Sequence, residues 1–411
     1  MAERVAVVLS GAAARGAFQA GALQELIPAL RDDGLEPTVF LGTSAGSINA
    51  ALWGSFADLG AEACGAEVVG VWRQMGRRNV IAHPVRTVVF DDGPRFLASA
   101  LGFGRGLPSL LDTRPLMRTA ERVLDTERLA RNVSSGVIEA VGVAATRIPP
   151  PSPVPAQEAP AHSRTTVFVD SPRIPVAAVA DPDRAVDVAQ TPVLAEHVLA
   201  SCAIPLAFPP QWVTAPAASQ GWYVDGGVRL NTPLRPAIAL GAERILVVAA
   251  MSTEYGPPLP PSLPDETIPD LAANGAQVLH SVLADRMSED LRTLESTNRV
   301  VAQAAAGGTT LERSDGGELR EIPVLTVSPE PGALGVLAAD VISEKLYGNV
   351  FGRLRDSDAY ALDRLLRGLG DGAGRRELLS YVFFDEDYFD AQLERGRVAA
   401  AAALAGGWQT S

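Results

Sequence analysis

The sequence contains a single lysine, Lys345, among 35 lysines and arginines. No lysine follows a glycine-rich loop, so a Walker phosphate-binding loop is excluded. Schiff-base or Ser–Lys chemistry would fall to Lys345 alone. The arginine excess is what a base-composition bias would produce and points to no function. Cysteine is also scarce. Cys64 and Cys202 are the whole supply, too few for a disulfide framework or a paired-cysteine metal site, and a reduced setting fits them. Four histidines are present, His83, His162, His197 and His280. No apolar run reaches 18 residues, so no transmembrane helix is expected. The first residues, MAERVAVVLSGAAARG, lack the layout of a signal peptide and read as a first strand. The expectation is a cytoplasmic protein, at most peripheral at a membrane.

Net charge is −13, which argues against nucleic-acid binding through phosphates and against attraction to an anionic bilayer. Hydrophobic residues make up 47% of the 411, enough for a sizeable core.

Residues 4–9 (RVAVVL) form a β-branched apolar run, the pattern of a buried strand. Helical spacing follows through Phe18, Leu23, Ile27 and Leu30, and Asp33-Gly34 stops it. Residues 38–41 read as a second strand, and Ile48 to Leu59 as a second helix. Strand–loop–helix–strand–turn–helix argues for a parallel sheet covered by helices. Residues 61–135 read as helices and loops anchored by Trp72, Phe96, Leu110 and Leu116. Strands are expected at 136–146, 164–169, 222–224, 244–250 and 322–327. A helix is expected over about 192–202, and one long amphipathic helix over about 269–297. The proline-rich stretch at about 148–163 reads as a surface loop, because proline has no amide to give a ladder. Beyond Pro331 the chain reads as helical.

The strongest chemical signal is Gly42-Thr43-Ser44-Ala45-Gly46, a G-x-S-x-G pentapeptide between a strand and a helix. A nucleophilic serine must stand clear of the sheet on a tight turn. Small neighbours allow strand and helix to approach, and the helix N-terminus favours a developing oxyanion. A chance match in a chain with 38 glycines is the bland alternative. The loop Ser10–Gly16 comes second. Its small residues let successive amides converge on an anion, but Ala13 stands where a dinucleotide fingerprint needs glycine. None of the histidines falls in a strand-end loop. Asp225-Gly226-Gly227 does follow a strand, and a carboxylate beside a serine can take its proton where the site is dry. A second such tripeptide, Asp315-Gly316-Gly317, lies in a polar stretch and reads as a simple turn.

VAVVLSGAAARGAFQAGAL, GTSAGSINA, ASCAIPLAFPP and YVDGGVRLNTPL, in that order over about residues 5–250, resemble the bacterial patatin-like phospholipase family. The resemblance implies an α/β three-layer sandwich with a mainly parallel central sheet, and a catalytic domain over 1–255. A mainly helical region over 256–411, with one added strand near 322–327, would pack on it. It implies a lipid acyl hydrolase working through a Ser–Asp dyad and an acyl-enzyme. Ser44 would be the nucleophile and Asp225 the base. The amides of Gly11, Ala12 and Ala13 would form the oxyanion hole, with Arg15, Gly16, Gly42, Gly46, Gly226 and Gly227 in support. A lipid or acyl ester would be the substrate, with transient contact to a membrane surface, and neither metal nor cofactor is expected. The family usually carries G-G-G-x-R-G where this chain has Gly11-Ala12-Ala13-Ala14-Arg15-Gly16. Nothing in the following helix requires a left-handed residue, so Ala13 is expected at negative φ. Two other readings stand beside this one. An α/β-hydrolase-type esterase would use His280 in a triad, and His280→Ala discriminates it. A lipid-binding or regulatory protein of the same fold, without turnover, would fail to label with a fluorophosphonate.

Overall fold

The computed structural model describes residues 3–80, 113–149, 163–253, 268–281, 286–312, 318–348, 352 and 356–410. The chain opens with β1 (Arg4–Leu9), α1 (Gly16–Asp32), β2 (Glu36–Thr43), α2 (Ala45–Phe56) and α3 (Ala61–Arg73). Then come α4 (Arg77–Val80), α5 (Arg114–Val123), α6 (Thr126–Ser135), β3 (Ala140–Arg147), β4 (Arg164–Asp170) and β5 (Val186–Gln190). The middle holds α7 (Ala195–Ser201), β6 (Gln211–Val213), β7 (Gly221–Asp225), α8 (Leu234–Ala239) and β8 (Arg244–Val248). The last part holds α9 (Leu271–His280), α10 (Arg286–Ala306), β9 (Val324–Val327), α11 (Ala333–Tyr347), α12 (Ser357–Leu369), α13 (Ala373–Val382) and α14 (Glu386–Gly406).

The strands form one sheet in the order β5-β4-β3-β2-β1-β8-β9, with β7 paired to β3 and β6 to β7. Pairing from β3 through β2, β1 and β8 to β9 is parallel. Among the described strands, the antiparallel pairs are β3–β4, β3–β7 and β6–β7. The alternation in β1 shows why the fold has three layers. Val7 and Leu9 join a core with Phe18, Leu23, Trp53 and Phe389 on one face. Ala6 and Val8 join Leu234, Val247, Met287 and Leu291 on the other. A strand buried on both faces must be apolar throughout, as this run is.

Several expectations shift. The strand expected from residue 136 begins at Ala140, because Gly136 ends α6 in the left-handed conformation (φ 85°). Strands β5 and β6 escape periodicity because they are short, five and three residues, and mix polar with apolar side chains. The long helix expected over 269–297 is described as α9 and α10, with residues 282–285 outside the described residues, and the second runs on to Ala306. Trp72 and Leu116 are buried anchors, whereas Phe96 and Leu110 lie outside the described residues, as does most of the proline-rich stretch. Its ends meet as the antiparallel pair Arg147 and Arg164. Among the described residues, no helix is long and apolar enough to cross a membrane.

The C-terminal elements are tied into the sheet and its first helix. Strand β9 pairs with β8 in register Ile245 to Val324. On α14, Gln392 donates from Nε2 to the carbonyl of Ala14 (2.9 Å) and accepts from the amide of Phe18 (3.3 Å). Arg397 reaches Glu25 at 2.7 Å.

Candidate active site

Ser44 stands between β2 and α2 with φ 54° and ψ −129°, a conformation costly for any residue with a β-carbon. Hydrogen bonds on both sides hold the elbow. Its amide donates to Ser201 Oγ (2.8 Å), and Ser201 donates in turn to the carbonyl of Ala144 (2.6 Å). Its carbonyl accepts from Ser47 Oγ (2.6 Å). Gly42 supplies the space. A β-carbon there would overlap the backbone carbonyl of Gly46, and backbone cannot swing aside. Gly42→Ala is therefore expected to destabilise the protein by about 3 kcal/mol or more, read as a lowered melting temperature or loss of soluble protein. A melting temperature equal to wild type would show that the elbow is looser than this.

Asp225 ends β7 opposite Ala145 of β3. Its amide donates to the carbonyl of Ala203 (2.8 Å), and its Oδ1 accepts from the amide of Gly227 (2.6 Å). Gly226 lets this turn lie against β3, because a β-carbon there would strike the carbonyl of Ala144. Ser44 and Asp225 are 4% and 5% exposed, so the pair is nearly dry. Burial pushes the Asp225 carboxyl up to about 6, and the neighbouring Ser44 hydroxyl and the Gly227 amide pull it part of the way back. The structure thus brings Ser44 and Asp225 together.

The four sequence motifs meet here, and two of their links were not legible in advance. The third motif bridges the other two functional positions, since Ser201 holds the Ser44 amide and Ala203 holds the Asp225 amide. The fourth reaches the glycine loop through Asn231, whose carbonyl accepts from the Gly11 amide (3.0 Å). That bond corrects one expectation. The Gly11 N–H is already taken, so it is not a donor for an oxyanion. Gly11 instead leaves room between Asn231 and the β-carbon of Ser44. Among the described residues, the amides of Ala12 and Ala13 donate to no protein carbonyl outside the helices. A second correction concerns Ala13, which has φ 48°, not the expected negative value. The chain must reverse sharply to bring residues 12 and 13 toward Ser44 before α1 begins. The strain for alanine is about 1–2 kcal/mol.

Arg15 is 2% exposed, and Gly16 starts α1. The guanidinium reaches Ser380, Tyr381 and Glu377, all on α13. Gly46 lies in the first turn of α2, against the carbonyls of Leu9 and Ser10.

Ser44 opens on a small cavity of about 30 Å3 walled by Ile48, Trp72, Met75, Leu116, Ile204 and Phe208. Cys202 also faces it, and burial pushes this thiol far up, so it acts as a small apolar group. The larger clefts, about 620 and 810 Å3, lie among the C-terminal helices and do not include Ser44.

No described histidine serves Ser44. His197 is fully buried and stacked on Phe168, with ring centroids 4.2 Å apart. Its Nδ1 accepts from the amide of Leu194 (3.0 Å), and its Nε2 lies 2.7 Å from the carbonyl of Ala215. His280 lines the 810 Å3 cleft with Gln277, Glu330 and Arg376, not the Ser44 cavity, which removes the geometric basis of the triad alternative. His83, His162 and the turn at 315–317 lie outside the described residues. Among the described residues, no three His, Cys, Asp or Glu side chains are grouped as metal ligands would be.

Of the comparisons with known proteins, the family model agrees with the motifs. No curated protein matches the chain. Among solved structures, VipD from Legionella pneumophila is similar at 12% identity, over 98% of this chain and 88% of that one. The TM-score is 0.25, too low to support an argument. The family model for patatin-like phospholipase matches residues 7–238 of 411. That span runs from β1 to α8 and takes in Ser44, Asp225 and the loop between β1 and α1, and by it the chain belongs to the patatin-like phospholipase family.

Proposed function

We propose that the protein is a lipid acyl hydrolase in which Ser44 and Asp225 act as a catalytic dyad. One observation carries the reading: a buried serine on a strained elbow stands beside a buried carboxylate raised to about 6. A carboxylate of ordinary basicity is a poor base for a hydroxyl, and burial narrows the gap. Ser44 Oγ attacks the acyl carbonyl while Asp225 takes its proton. The tetrahedral oxyanion is held by the amides of Ala12 and Ala13 at the head of α1. Collapse expels the alcohol, which recovers the proton from Asp225 and leaves an acyl-Ser44 ester. Water then attacks that ester with Asp225 again as base. The apolar walls of the Ser44 cavity suit an acyl chain, although about 30 Å3 holds little more than one water, so the side chains must part on binding.

A fluorophosphonate probe tests this directly, because labelling requires an activated hydroxyl. The expected result is one adduct on the Ser44 peptide by mass spectrometry. Intact protein that takes up no probe would favour a binding role without turnover.

A further inference from the structure

We infer that α13 is a positioning element of the reaction centre. Through Arg15 and Ala13 it holds the strained loop whose amides face the developing oxyanion. The inference rests on the function proposed above, and it concerns residues beyond the span of the family match.

Ala13 is held at φ 48°, a conformation it would leave if free. Locally a single backbone hydrogen bond, from the Arg15 amide to the Ala12 carbonyl (2.9 Å), closes the turn over it. The short turn Ala13–Arg15 has no side-chain cap. Besides Gln392 of α14 on the Ala14 carbonyl and Asn231 on the Gly11 amide, the loop is restrained through Arg15 by residues of α13 more than 360 positions away. Arg15 Nε donates to Ser380 Oγ (3.0 Å) and Nη1 to the Tyr381 hydroxyl (3.1 Å). Nη2 forms an ion pair with Glu377 at 2.6 Å. The guanidinium also lies 3.8 Å from the centroid of the Tyr381 ring. This is a buried, planar, multiply bonded cation, which fixes direction as well as distance.

The methyl of Ala13 packs against the cluster of Met251 and Tyr381, joined by Leu279 of α9. Tyr381 therefore bears on the loop through Arg15, and with Met251 it forms the cluster against which Ala13 packs. Tyr381 is in turn fixed by a hydrogen bond from its hydroxyl to Met251 Sδ. In the family pattern glycines occupy this loop. Here an alanine stands at a left-handed position, and its methyl gives α13 something to press.

The clamp is tested in the full chain with Glu377→Gln, Ser380→Ala and Tyr381→Ala. Rates on a short acyl ester are normalised to active sites by fluorophosphonate titration. Affinity is measured for a trifluoromethyl ketone, which forms a tetrahedral oxyanion on the serine. The expected result is a fall in kcat of about 10- to 100-fold with KM within about twofold. Ketone affinity should fall by the same factor as kcat/KM, and the acid limb of the pH profile should stay in place. Less folded protein would lower the active-site titre but leave both normalised quantities unchanged. Normal kcat in folded variants, or lowered kcat with undiminished ketone affinity, would overturn the inference. If Tyr381→Ala does not fold, the two polar deletions carry the test. A wild-type protein that neither turns over nor labels overturns the proposed function instead, and that result is read on a different sample.

Discussion

Ser44→Ala is expected to bring hydrolysis of a short acyl ester down to background, a fall on the order of 10^4-fold or more. Asp225→Asn is expected to lose on the order of 10^4-fold, because an amide cannot accept the serine proton. Groups that act as one unit are strongly non-additive, so the double variant should be barely worse than either single one. The folded state should persist in both. Alanine at 44 keeps the same β-carbon at the same strained dihedral angles, and the amide bond to Ser201 does not involve the side chain. Asparagine at 225 keeps an oxygen for the Gly227 amide. Rates should be read beside circular dichroism and melting curves. Full activity in Asp225→Asn would sink the dyad, and the same result in Ser44→Ala would place the chemistry elsewhere in the chain.

Some of this site was legible because its determinants are local. The run RVAVVL can be little other than a buried strand, and glycines two residues either side of Ser44 specify a tight elbow. Asp225 was separable from Asp315 by the strand before it. Distance along the chain decides what was hidden. The Ser201 hydroxyl that fixes the Ser44 amide is 157 residues away, and the α13 residues that hold Arg15 are over 360 away. No periodicity encodes such pairings. The Gly11 amide reads as a free donor until Asn231 is found opposite it. Ala13 follows the same rule. Propensity favours negative φ for alanine, and tertiary contacts from Tyr381, Met251 and Arg15 override it. Strands β5 and β6 were missed for a different reason: so short a segment of mixed polarity carries no usable period.

The buried carboxylate that would make the reaction possible should also make the protein less stable where it works best. Burial raises Asp225 to about 6, while in an unfolded chain it titrates near an ordinary carboxylate, roughly 4. Below about 6 the native carboxyl is protonated and cannot act as base, so kcat/KM should fall about tenfold per pH unit below 6 and level off above it. Stability should run the other way. Below about 4 the group is neutral in both states and costs nothing. Between about 4 and 6 the native state binds a proton that the unfolded chain has released, so stability declines as pH rises. Above about 6 the whole cost is present, about 3 kcal/mol for a shift of two units. Asp170, half-buried at the end of β4 and likewise pushed by burial to about 6, adds a similar slope to the wild type. It is unchanged in Asp225→Asn, so the difference between the two proteins isolates Asp225. The expected result is a variant that melts higher than wild type at pH 8, with the gap narrowed to about a third by pH 4.5 and closed below about 4, while its hydrolysis is lost at pH 8 and at pH 4.5. Equal melting at pH 8 would mean that Asp225 is not strained by its charge. The acid limb near 6 would then have to come from another group, with Asp170 the first to replace.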